Sequence, residues 1–147
     1  MRLHRHIGRH AHARERGIVS LEFVLMLPFL LMVMFGIVDM SLLLCDKAVI
    51  TNAAGEAARQ GVVLRSTPYT TTQIQNVALA YTKNNLVTGG TVTTPTITPS
   101  GSCSTIGSGN ALQVTIQYTY NGLVVGSAFS ALTGPVTVTA TAVMNCE

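Results

Sequence analysis

The chain opens on seventeen residues, MRLHRHIGRHAHARERG, with almost no apolar content, then changes abruptly to IVSLEFVLMLPFLLMVMFGIVDMSLLLC. No charge falls between Phe23 and Val38, and the whole run 18–45 holds only Glu22 and Asp39. About 20 apolar residues at 1.5 Å rise span the roughly 30 Å hydrocarbon core of a bilayer, so residues 18–45 predict a transmembrane helix. Helix-compatible spacing continues beyond it. Ala54 and Ala58 lie one turn apart, and Ala53, Ala57 and Gly61 form a neighbouring row. Such a small-residue stripe admits another backbone closely, either the protein's own sheet or a helix in an assembly. Ser66, Thr67 and Pro68 end the helix. A second helix is expected over residues 72–85, with Ile74, Val77, Ala78 and Tyr81 on one face. The period then falls to two. Leu112, Val114, Ile116, Tyr118 and Tyr120 alternate with polar residues, and Val136, Val138, Ala140, Ala142 and Met144 alternate with Thr137, Thr139, Thr141 and Val143. Both read as half-buried antiparallel strands. A weaker strand over 91–98 is confined to an edge by Pro95 and Pro99, with a Gly/Ser loop over 100–110.

Four segments follow: a basic leader (1–17), a transmembrane helix (18–45), its exported continuation (46–66) and an α+β domain (67–147). Charge sharpens this division. The leader carries five Arg and one Glu, whereas the remainder carries four Lys or Arg against five Asp or Glu. The positive-inside rule therefore keeps the N-terminus cytoplasmic and places the C-terminal part outside. The apolar run exceeds that of a removable secretory signal, and no small-residue cleavage site follows it. Leu44 before Cys45 also argues against a lipoprotein signal, which wants a small residue there.

Composition closes several functional classes. Between Thr67 and Cys146 the only charged residue is Lys83, and no His occurs there. General acid–base and activated-nucleophile catalysis both need partners this stretch lacks, so no enzyme activity, cofactor or metal site is expected. A body without a basic face argues against nucleic acid. His4, His6, His10 and His12 belong to a leader suited to anionic lipid rather than to a metal. Glu56 and Arg59 read as a surface pair of small weight, Asp39 as a residue of the outer interface, and Cys45 as a buried small hydrophobe. Cys103 and Cys146 share the exported part, where one intramolecular disulfide is possible, contributing roughly 3–4 kcal/mol in the chain-entropy model.

The junction RERG-IVSLEF carries the functional signal. A Gly precedes the apolar run, and a Glu stands at its fifth position. This resembles a type IV prepilin processing signal. The longer run, with Glu22-Phe23, Leu27-Pro28, Phe35-Gly36 and the small-residue segment from Thr51 to Arg59, resembles the TadE-like family of tight-adherence (Flp) pilus proteins. The final strand looks like that family's last strand. The resemblance implies a pilin-like α+β fold and a prepilin peptidase cutting after Gly17, with Ile18, Glu22 and Phe23 completing the processing site. Glu22 would then meet the N-terminal ammonium of a neighbouring subunit, Pro28 would break or kink the helix, and Ala54 and Ala58 would offer a helix-packing stripe. It further implies a minor pilin or pseudopilin in the bacterial inner membrane, with its C-terminal domain periplasmic or extracellular. Its partners would be the peptidase, other minor pilins, the major Flp pilin, the inner-membrane assembly platform and membrane lipid. The alternative is an uncleaved bitopic protein whose exported domain binds an envelope partner.

Overall fold

The computed structural model describes residues 12–63, 65–87, 93–101, 103, 110–122 and 134–146, with side chains described from Val19 onward. Its elements are α1 (His12–Val62), α2 (Thr71–Lys83), β1 (Thr96–Ser100), β2 (Ala111–Tyr120) and β3 (Val136–Asn145). This is an α+β, pilin-like layout: one long apolar N-terminal helix, a short helix and a three-stranded antiparallel sheet. The chain divides into two compact units, residues 1–35 and 36–147.

In the first unit α1 is exposed at every position from 19 to 34. Phe23, Leu25 and Phe29 are each more than half exposed. Apolar surface on all sides of a helix is the mark of a membrane span, and α1 is long and apolar enough to cross one. Pro28 lies inside it, removing one backbone N–H, yet the helix runs on through that position.

The second unit is built on the sheet, in the order β1-β2-β3. The inward residues of the central strand β2 (Leu112, Val114, Ile116, Tyr118 and Tyr120) are all buried. They form one core with Ile50, Ala53, Ala54, Ala57 and Ala58 of α1 and Ile74 and Ala78 of α2. The alanines let α1 come close. At Gly61 the approach is closer still, because a Cβ there would stand 2.3 Å from Leu112 Cδ2. On the edge strand β3 only Ala140 is fully buried, since that strand has a neighbour on one side alone.

Local chemistry sets the connections. Arg65 donates to Gln60 Oε1 (3.0 Å) and to the Tyr69 hydroxyl (2.9 Å), holding the turn after α1. Thr70 and Gln73 then form a capping box, each side chain satisfying the other's backbone N–H at the start of α2. Gln75 of α2 donates to the Ile97 carbonyl on β1, covering that sheet edge. Pro99 sits within β1, tolerated because the strand is an edge. β1 begins at Thr96 rather than 91, residues 91 and 92 lying outside the described residues, and α1 ends at Val62 rather than 66.

Residues on both sides of Cys45 pack within the second unit. Asp39 is 7% exposed, Asp46 is fully buried, and Leu42 and Leu43 pack against the core. This part of α1 is committed to the sheet.

Candidate functional site

Gly17 and Ile18 fall inside α1, whose backbone is helical from His12 through the processing junction. Their side chains lie outside the described residues, as do the leader histidines. Glu22 and Phe23 follow on the same helix, both exposed, with apolar side chains on every side of the next three turns. A carboxylate held at the centre of a bilayer costs about 2.5–3.5 kcal/mol. At the end of the span it reaches the interface, or it pairs with a cation. Among the described residues none stands within ion-pair distance of it; the ion pair found joins Arg59 and Glu56 at 3.7 Å.

The other predicted residues are placed as follows. Ala54 and Ala58 are 0% exposed within the core of their own chain, so the packing role expected for them in an assembly is not open to them. Their stripe faces the protein's own sheet. Cys45, expected to be buried, is exposed, because it lies on the face of α1 turned away from the core. Asp39, expected at an outer interface, is buried instead beneath Tyr120, whose hydroxyl donates to the Asp39 carbonyl at 3.3 Å. Cys103 and Cys146 form a disulfide with a Cα–Cα distance of 5.5 Å.

Sequence reasoning missed a buried polar seam between α1 and β2. Asp39 and Asp46 lie two turns apart on one face of α1. Facing them are Tyr118 and Tyr120, alternate residues on the inner face of β2. Asp46 Oδ1 accepts the Val87 N–H at 2.8 Å, tying the segment after α2 to α1, while Oδ2 is buried with no partner among the described residues. The Tyr118 hydroxyl faces Thr93 and Asp46 but likewise meets no partner in good hydrogen-bond geometry. Burial raises the Asp46 carboxyl above the ordinary carboxylate range, partly offset by the Val87 bond. It also raises both phenols. One sequence signal pointed here: inward-facing tyrosines need a polar partner for their hydroxyls.

A folded-state value above the unfolded one means that the folded protein binds the proton more tightly. Asp46 therefore contributes stability at acid pH, and that contribution is lost as pH rises through its folded value. Asp46→Asn keeps the Val87 bond and removes the uncompensated charge. It is expected to stabilise the unit by about 1–2 kcal/mol at neutral pH and to flatten the fall in its stability as pH rises from the ordinary carboxylate range towards neutrality. Thermal melts across that range in detergent check this; a variant less stable than the parent at pH 7 would refute it.

A cleft of about 410 Å³ opens between the end of α2 and Thr93, Thr94 and Pro95, and among the described residues Lys83 is its only ionisable lining residue.

Residues 17–59 match the family model described as TadE-like protein. The match starts at the Gly of the processing junction and ends within the alanine-rich part of α1. The resemblance read from the sequence is thus shown over that segment. No curated protein and no solved structure matches the chain.

Proposed function

We propose, from the TadE-like match over the first helix, that this chain is a processed minor pilin or pseudopilin of a tight-adherence (Flp, type IV-like) pilus. It acts in pilus assembly or initiation and in surface attachment, and not in catalysis. The observation that carries this reading is the matched segment itself. It begins at Gly17 and takes in Glu22-Phe23 and the exposed apolar helix. A prepilin peptidase removes residues 1–17 and leaves Ile18 as the N-terminus. The basic leader holds the start of the chain in the cytoplasm. The unit 36–147, whose disulfide suits an oxidising compartment, stands outside the inner membrane, where it meets other minor pilins, the major Flp pilin and the assembly platform.

The N-terminus and intact mass of the protein, from cells with and without the peptidase, test this. A chain beginning at Ile18 only when the peptidase is present is the expected result. A chain keeping residues 1–17 in both strains would refute it and leave an anchored bitopic binding module.

A further inference from the structure

Few groups hold the segment that follows α2. The N–H groups of Asn85 and Leu86 both donate to the Thr82 carbonyl at 3.2 Å, and the Val87 N–H donates to Asp46 Oδ1 of α1 at 2.8 Å. Among the described residues, the bond to Asp46 is the one that ties this segment to another element. Asn84, Asn85 and Val87 are exposed, and Leu86 is half-buried against the core. A segment with so little buried apolar surface opens at a lower free energy than the sheet beside it.

The tie is made to a carboxyl whose surroundings do not suit a charge. Asp46 Oδ2 is buried without a partner among the described residues, and so is the Tyr118 hydroxyl that faces it. From Asn84 to Asn145 the sequence holds no cation; besides Cys103, its ionisable side chains are Tyr118 and Tyr120. Burial raises both phenols, so they stay neutral. On α1, Lys47 spends its ammonium on the Thr139 carbonyl, Asp39 is a second acid two turns away, and Arg59 is paired with Glu56. Arg65 is held by Gln60 and Tyr69, while Tyr81 and Lys83 of α2 are exposed. An ionised Asp46 thus leaves one oxygen of a buried charge unsatisfied, which is costly, whereas the protonated form carries no such charge. Lifting residues 84–87 admits water to the carboxyl and removes that difference. The proton and the closed segment therefore stabilise each other.

We propose that Asp46 is a proton-operated latch: protonated, it holds residues 84–87 closed on α1, and as it loses its proton these residues open while the sheet stays folded. Leu86 lines one side of the 410 Å³ cleft, and Thr93, whose hydroxyl is fixed on the Thr119 carbonyl, lines the other. The latch therefore moves one wall of the cleft against a wall anchored to β2.

Amide hydrogen exchange, followed by NMR on the full-length chain in detergent, reads the latch. Protection is the ratio of intrinsic to observed rate, which removes the base catalysis common to all amides. Leu86, whose acceptor is a carbonyl, is the cleaner reporter, with Val87 beside it; Ile116, paired on both sides within the sheet, reports opening of the whole unit. The expected result is that Leu86 and Val87 are less protected than Ile116 and lose protection as pH rises above the ordinary carboxylate range. The loss is up to tenfold per pH unit, the limit for one proton. Low urea should leave Leu86 unchanged while lowering the protection of Ile116, because local opening exposes little surface. In Asp46→Asn the protection of Leu86 should not vary with pH. Protection of Leu86 equal to that of Ile116, with the same response to urea, overturns the proposal, since residues 84–87 would then open only with the whole unit. Protection of Leu86 that is independent of pH in the parent overturns it as well, and needs no variant to be seen. A pH dependence that survives Asp46→Asn assigns the proton to another group and also overturns it.

Discussion

Cys146→Ser is expected to cost the unit 36–147 about 4 kcal/mol, because the bond it removes closes a separation of 43 residues. The structure shows what the bond holds. Gly101 follows β1 directly in a left-handed conformation (φ +86°), and a Cβ there would fall 2.2 Å from the Ala111 carbonyl oxygen. Cys103 thus leaves the sheet across the start of β2. Cys146 continues β3 by one more hydrogen bond, its N–H meeting the Asn110 carbonyl at 2.9 Å. The disulfide therefore joins the two edge strands around the first residues of the central one. Without it, β3 is held by its pairing to β2, by Lys47 and by one fully buried side chain, Ala140. A domain with roughly 5–15 kcal/mol of total stability loses a large fraction of it. The corresponding fall in Tm is on the order of 15–30 °C, measured by thermal melts in detergent with and without reductant, and the reduced parent should match the variant. A fall of only a few degrees would show that strand pairing and core burial hold the sheet without the crosslink.

Legibility from the sequence followed how far a signal depends on distant residues. The alternation from Leu112 to Tyr120 places five side chains on one face of a strand, and all five are buried. Residues 136–144 alternate as regularly, but Val136 is 49% exposed. Alternation says which residues share a face, and only the sheet order says that β3 is an edge. The small-residue stripe left two partners open, and the core shows which partner Ala54 and Ala58 have. Asp39 and Asp46 were harder. In a linear reading they border an apolar run and look like the charges that end a span; their burial arises from two tyrosines some eighty residues further on. The processing junction is the reverse case. Gly17, Ile18 and Glu22 lie within six residues and carry their signal in spacing alone, so the structure adds the exposure of Glu22 and little else.

Glu22→Leu is expected to leave leader removal and membrane insertion intact while lowering incorporation of the protein into pili by about a hundredfold. Glu22 lies at the start of the span, exposed on a helix whose next sixteen positions carry no charge. A lone subunit can keep this carboxylate at the interface. On the proposed function, subunits pack side by side and water leaves, so the carboxylate must be paired, and the cation of matching position would be the ammonium that cleavage after Gly17 leaves on Ile18. A pair formed only in the packed state favours that state, because its Coulomb energy grows as water is excluded, whereas an unpaired charge there costs about 2.5–3.5 kcal/mol. Leucine changes little in the lone subunit, where the carboxylate stays at the interface, and removes the gain in the assembly. The ammonium of the neighbour is then left without its partner, which is the worse half of a broken pair. A difference of about 2.8 kcal/mol, within the cost of an unpaired charge, corresponds to the hundredfold loss. Quantifying the variant in sheared pilus and membrane fractions, beside its N-terminal sequence, separates the steps. Glu22→Asp, which keeps the charge on a shorter arm, should recover part of the incorporation. Equal incorporation of parent and Glu22→Leu would show that the carboxylate merely sits at the interface, and assembly would then have to rest on the exposed apolar face of α1 between Phe23 and Met34.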